Sequence, residues 1–122
     1  MTGFVARNAT ENIGFVVSQA DEALTNWTVH LAQEYVSLPV GVYELPPYAG
    51  SDYMSFTKLK YPSAFASEGD PYREFDPYVH GVGDTMDVDD ETGYFSVEHM
   101  ARFTELAIAF AVEQAGWDNT WR

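Results

Sequence analysis

His80 stands in the stretch "YVHGVGDTMDVDDETG" (residues 78–93) and is one of three histidines in the chain. A neutral imidazole near pH 7 can ligate a metal or move a proton. Gly81 and Gly83 behind it let the backbone approach a ligand closely. A histidine alone makes neither a metal site nor a general base, and its neighbours in sequence do not spell out the partners. His30 and His99 fall on helical stretches and read as residues of a helix face. The acidic run that follows has a second possible chemistry. Counting from Asp87, a calcium loop would place Asp87, Asp89, Glu91 and Glu98 at its first, third, fifth and twelfth positions. Its sixth position, where such loops need glycine, is Thr92, and prolines and glycines upstream deny it an entering helix. The run therefore also reads as a solvated set of carboxylates leading into a helix. Nucleophile chemistry has no support, since the chain lacks cysteine, a Gly-x-Ser-x-Gly turn and a glycine-rich phosphate loop.

The elements that must position His80 follow from periodicity. "GFVA" (3–6) and "IGFVV" (13–17) are short β-branched and aromatic runs joined by polar residues, which predicts a hairpin. Leu24, Trp27, Leu31 and Tyr35 recur at helical spacing behind Asp21 and Glu22, and the helix must end before Pro39. "VGVYEL" (40–45) is a strand that Pro46 and Pro47 stop. A short helix over 52–59 and a buried strand "SAFAS" (63–67) come next. Pro71, Pro77, Gly81 and Gly83 exclude regular structure over 69–83, a loop long enough to expect function and too aromatic to expect disorder. Ser96 can cap a last helix with the stripe Val97, Met100, Phe103, Ala107 and Phe110, ending at Gly116. This alternation predicts an α/β fold, a partial mixed sheet with helices on its faces, in one domain spanning 1–122. Ligands of such sheets bind beyond the carboxyl ends of the strands, which places Leu45–Asp52 and Ser67–Gly83 on the functional rim.

Composition narrows the partners. At 122 residues and 46% hydrophobic content, the chain can bury a core. Its formal charge of −13 repels nucleic acid and anionic membrane surfaces. The chain shows neither a spanning apolar run nor a signal peptide. "NAT" at Asn8 and "NWT" at Asn26 are glycosylation triplets that matter only in a secreted protein, so the compartment of the chain stays open.

Three blocks, "YAGSDYMSFTKLKYPSAFASEG", "DPYVHGVGDTMDVDDETGYFSVEHM" and "FTELAIAFAVEQAG", resemble the C-terminal part of the secreted zinc leucine aminopeptidases, a fungal and bacterial family of two-zinc exopeptidases. The similarity runs in order over essentially the whole chain. It implies an enzyme family that hydrolyses N-terminal, leucine-like residues from peptides outside the cell. In the complete enzymes, two zinc ions activate a water and polarise the scissile carbonyl. By this resemblance His80 matches a zinc ligand, and Met1, Tyr48, Phe75 and Val79 match positions lining the pocket for the substrate's N-terminal side chain. Asp84 and Thr85 match a motif after the ligand histidine, and the acidic run becomes a lead-in to the last helix.

The departures from the family are specific. Pro46 and Gly50 replace its cysteine pair, Tyr53 replaces a histidine, and Gly81 replaces a threonine. The other zinc ligands and the general-base glutamate lie upstream of the residue matching Met1. The expectation is a catalytically incomplete C-terminal portion, a shortened gene model or a remnant, inactive by itself. A sheet without its first strands also exposes an edge through which copies can associate. Two further functions remain open: a module that binds apolar peptide N-termini without cleaving them, and a calcium module at 87–98.

Overall fold

The structure is a computed structural model that describes residues 2–116. Its elements in chain order are β1 (Phe4–Ala6), β2 (Ile13–Val16), α1 (Glu22–Tyr35), β3 (Val40–Tyr43), α2 (Tyr53–Lys58), β4 (Phe65–Ser67), β5 (Gly93–Phe95) and α3 (Val97–Ala115). They form an α/β fold with a three-stranded mixed sheet in the order β3-β2-β4 and a separate two-stranded sheet, β1-β5.

β2 is central because all four of its residues are buried. A strand covered on both faces carries apolar side chains that alternate between two cores. Ile13 and Phe15 pack with Leu31, Ala32 and Val36 from α1 and its end and with Leu106 from α3. Val16 faces the other way, onto Leu45 and Tyr53, with Phe65 stacked on Tyr53 at 5.0 Å. Burial of each large side chain is worth about 1.5–3 kcal/mol, so these two clusters hold the sheet between the helices.

β2 pairs in parallel with β3, Ile13 opposite Val40 and Val16 opposite Tyr43, with α1 as the crossover between them. Asp21 starts α1 by accepting a hydrogen bond from the Leu24 backbone N–H at 2.8 Å. Ser96 starts α3 in the same way with the His99 N–H at 3.0 Å. Gly116 closes it at φ +75, a left-handed value that glycine adopts without a Cβ clash. Trp27 and Phe110 join the two helices edge to face, their rings 5.3 Å apart.

Two expectations give way. β1 does not form a hairpin with β2; it pairs antiparallel with β5, Phe4 opposite Phe95 and Ala6 opposite Gly93. The residues between β1 and β2 carry the chain from one sheet to the other, and Arg7 is held by Asp89 and by the Asp90 carbonyl at 2.8 Å. The last helix also turns by about one position. His99, Leu106 and Ala109 are its buried residues, whereas Val97 and Met100 of the expected stripe are exposed. An all-apolar "LAIAFAV" offers no polar side to fix its rotation, and the packing against α1 decides it.

Candidate functional site

Three separate segments border one cavity of about 550 Å³. Thr2 enters from ahead of β1, Leu45, Tyr48 and Ala49 from the loop after β3, and Phe75, Val79 and His80 from the long loop. Phe65 of β4 forms part of its wall. The positions expected to act together, Tyr48, Phe75, Val79 and His80, are therefore brought together although 32 residues of sequence separate the first from the last. Met1, the remaining expected pocket residue, lies outside the described residues.

The loop after β3 follows from its sequence. Pro46 and Pro47 end the strand, and the Leu45 N–H turns to the Ser18 hydroxyl at 2.9 Å. Tyr53 anchors the loop's far end, its hydroxyl donating to the Ser18 carbonyl at 2.5 Å. Tyr48 is left 91% exposed on the rim of the cavity.

The second wall has a longer path. β4 is antiparallel to β2, Val16 opposite Phe65 and Gly14 opposite Ser67, so the chain leaves β4 at the end remote from Leu45. It must run back to bring Phe75 and Val79 to the cavity, which accounts for the length of this loop. Its turn-back lies directly over Gly14, where a Cβ would stand 2.5 Å from the Gly69 carbonyl oxygen and 2.6 Å from the Ser67 hydroxyl. Glu74 closes the turn, accepting from the Asp70 N–H at 2.8 Å and from the Asn12 amide at 2.9 Å.

Around His80 the backbone is tightly wound. Asp76 is buried and accepts from the Tyr78 N–H at 2.8 Å, and the Gly81 N–H reaches the Tyr78 carbonyl at 2.7 Å. His80 itself adopts φ +64, a left-handed conformation that costs a non-glycine residue about 1 kcal/mol. Residues held in this region concentrate at functional sites.

The acidic run fastens this loop. Asp90 accepts from the Tyr78 hydroxyl at 2.5 Å and from the Thr92 hydroxyl and N–H at 2.6 and 2.8 Å. The Thr92 and Tyr78 bonds hold its carboxyl down at about 2. Tyr78 answers with a phenol pushed upward, mainly by the same bond to Asp90. Asp89 pairs with Arg7, whose guanidinium also lies over the Tyr94 ring at 5.2 Å.

Zinc at a hydrolytic site takes three protein ligands and a water. Among the described residues, no three His, Asp or Glu side chains converge closely enough to hold a metal, at His80 or in the run from Asp87 to Glu98. The described residues thus offer one candidate ligand and do not by themselves fit a zinc site. Two residues to which the sequence assigns no special place, Glu68 by silence and His99 as a helix-face residue, are buried here. Glu68 follows β4 and is 5% exposed. His99 is wholly buried rather than an ordinary face residue, its Nδ1 2.9 Å from the Glu11 carboxylate.

Sequence relatives and structural neighbours define the class: the chain fits the C-terminal portion of an aminopeptidase of fungal or bacterial type. The individual similarities are close to one another in strength. Over 119 residues, 94% of this chain, it is 34% identical to leucine aminopeptidase 1 of Neurospora crassa, covering 28% of that protein. It is 29% identical over 121 residues to a probable aminopeptidase of Saccharomyces cerevisiae, covering 99% of this chain and 30% of the relative. The LapA aminopeptidase of Legionella pneumophila superposes with a TM-score of 0.82 at 30% identity, over 96% of this chain and 30% of that one. No family model matches. The chain thus spans about 30% of the length of the relatives it matches.

Proposed function

We propose that this chain furnishes the pocket for the N-terminal side chain, and one zinc ligand, of a zinc-dependent leucine aminopeptidase, and that the 122-residue chain does not hydrolyse peptides by itself. The observation that carries this reading is the convergence of Tyr48, Phe75, Val79 and His80 on one cavity. Those four positions resemble pocket and ligand positions of the family, and they come from two loops that the fold has to bring together.

The apolar wall of Phe65, Phe75 and Val79 suits an aliphatic side chain, which gains about 0.8 kcal/mol for each CH₂ taken out of water. A volume of about 550 Å³ is within the ordinary range for small-ligand sites. His80 borders the same cavity, and on this reading its imidazole would supply one ligand to a metal there. The remaining metal ligands and the general base are not among the groups the described residues bring together. A metal held by His80 alone would neither be retained nor fix a water in line with a carbonyl.

The test is a titration of the chain with L-leucinamide, followed by NMR. Shifts confined to Tyr48, Phe75, Val79 and His80, and smaller with glycinamide, are expected. Shifts elsewhere, or equal responses to the two amides, would overturn the pocket assignment.

A further inference from the structure

Glu68 is a buried carboxyl that, among the described residues, forms no ion pair with a cationic side chain. It follows β4 directly, inside the turn that Gly14 makes room for, and only 5% of it is exposed. Among the described residues its side chain has two hydrogen-bond partners, both backbone donors. Oε2 accepts from the Phe4 N–H at 3.2 Å, and Oε1 accepts from the Asp76 N–H at 3.4 Å. Phe4 opens β1, two residues after the cavity residue Thr2. Asp76 lies between the cavity residues Phe75 and Val79 and carries the internal bond that winds the loop toward His80. One carboxylate therefore fastens two walls of the cavity, 72 residues apart in sequence, to the end of β4.

We infer that Glu68 is a positioning residue, whose buried carboxylate sets the place of Phe75, Val79 and His80 by holding the Asp76 backbone against the start of β1. The chemistry asks for a carboxylate in particular. Two N–H donors converging from opposite sides need two acceptor oxygens, and a glutamine offers one, its NH₂ then facing an N–H. Burial pushes the Glu68 carboxyl up, while the bond from Phe4, the positive charge of the chain's amino terminus and the bond from Asp76 pull it part of the way back, so the two donors help the site to hold a carboxylate. Asp76 and Asp84 share the small cavity of about 150 Å³ behind the loop, and both add negative charge on that side. No cation site follows from this cluster, since no three acidic groups among the described residues converge on a common point.

The inference concerns the cavity on which the functional reading rests, but its test does not depend on any ligand. Backbone amide exchange is measured by NMR, residue by residue, in the whole chain and in Glu68→Gln. The Asp76 amide is expected to exchange at least about tenfold faster in the variant, as is the Phe4 amide, because a hydrogen bond to a charged acceptor is lost or replaced at each. Leu31 and Ala32, deep in the α1 side of the core, should keep their rates. Unchanged exchange at Asp76 overturns the inference. So does a uniform acceleration that includes Leu31 and Ala32, which would make Glu68 a contributor to overall stability and nothing more specific. Where Glu68→Gln cannot be isolated folded, Glu68→Asp, which withdraws the charge by one methylene, is read by the same criteria. L-leucinamide is then added to both proteins. Weaker binding by the variant accompanies the exchange result if both readings hold. Failure of the unaltered chain to bind sinks the functional reading and leaves the exchange data to decide the role of Glu68.

Discussion

His80 combines two properties that pull in opposite directions: it is the candidate ligand, and its backbone sits at φ +64. Replacement by glycine removes the steric cost of that conformation, about 1 kcal/mol, and with it the imidazole. His80→Gly should therefore unfold in denaturant no earlier than the parent chain, while His80→Val, β-branched and unable to take the left-handed conformation comfortably, unfolds earlier. An equal loss in both variants would mean that the imidazole itself holds the loop. Asp90 gives a prediction in pH. Its folded value of about 2 lies below the ordinary 3.8, so its stabilising effect is complete above 3.8 and is lost as pH falls toward and through 2. The Tyr78 resonances should report loosening of the loop over that interval, and Asp90→Asn should abolish the dependence. Glu68 has the opposite sign. Its carboxyl is raised by burial, so its linkage favours the folded state most below 4.5, and that contribution is lost as pH rises through the raised value.

At the scale of elements, helices were the most legible part of the sequence. α1 carries its cap, its apolar spacing and a proline beyond its end, and the structure shows it over Glu22–Tyr35. Local patterning predicts a β1–β2 hairpin, whereas the partner of β1 is β5, a three-residue strand nearly 90 positions away whose "GYF" carries no alternation to detect. Local patterning cannot report a pairing set by tertiary contacts. The loop from Gly69 to Gly83 was legible as irregular and aromatic, but its cause, the antiparallel direction of β4, was not. Glu68 was invisible for a related reason: a charged residue after a strand reads as solvated until the chain folds over it. Gly14→Ala tests that packing. The added Cβ meets the Gly69 carbonyl oxygen and the Ser67 hydroxyl, so the turn must shift, and a loss of about 1–3 kcal/mol is expected in chemical denaturation. A neutral Gly14→Ala would show that the turn lies farther from β2. Leu106→Ala, which removes the α3 contribution to the α1 core, should cost about 2–5 kcal/mol.

Over the whole molecule, two tendencies compete. Among the described residues, β3 and β4 each have one unpaired edge, and Val42, Phe56 and Leu59 expose large apolar surfaces. Such edges favour association of copies. A net charge of −13 opposes it through repulsion that salt screens. Sedimentation should accordingly show association that grows with added sodium chloride, and a monomer unaffected by salt would contradict it. The most direct test of the central claim is an assay of the purified chain on leucine-p-nitroanilide, with and without zinc, alongside metal analysis. A pocket with one ligand predicts no turnover and well below one tightly held zinc per chain. Zinc-dependent release of p-nitroaniline at about two zinc ions per chain would contradict the account, because these 122 residues would then assemble a complete two-metal site.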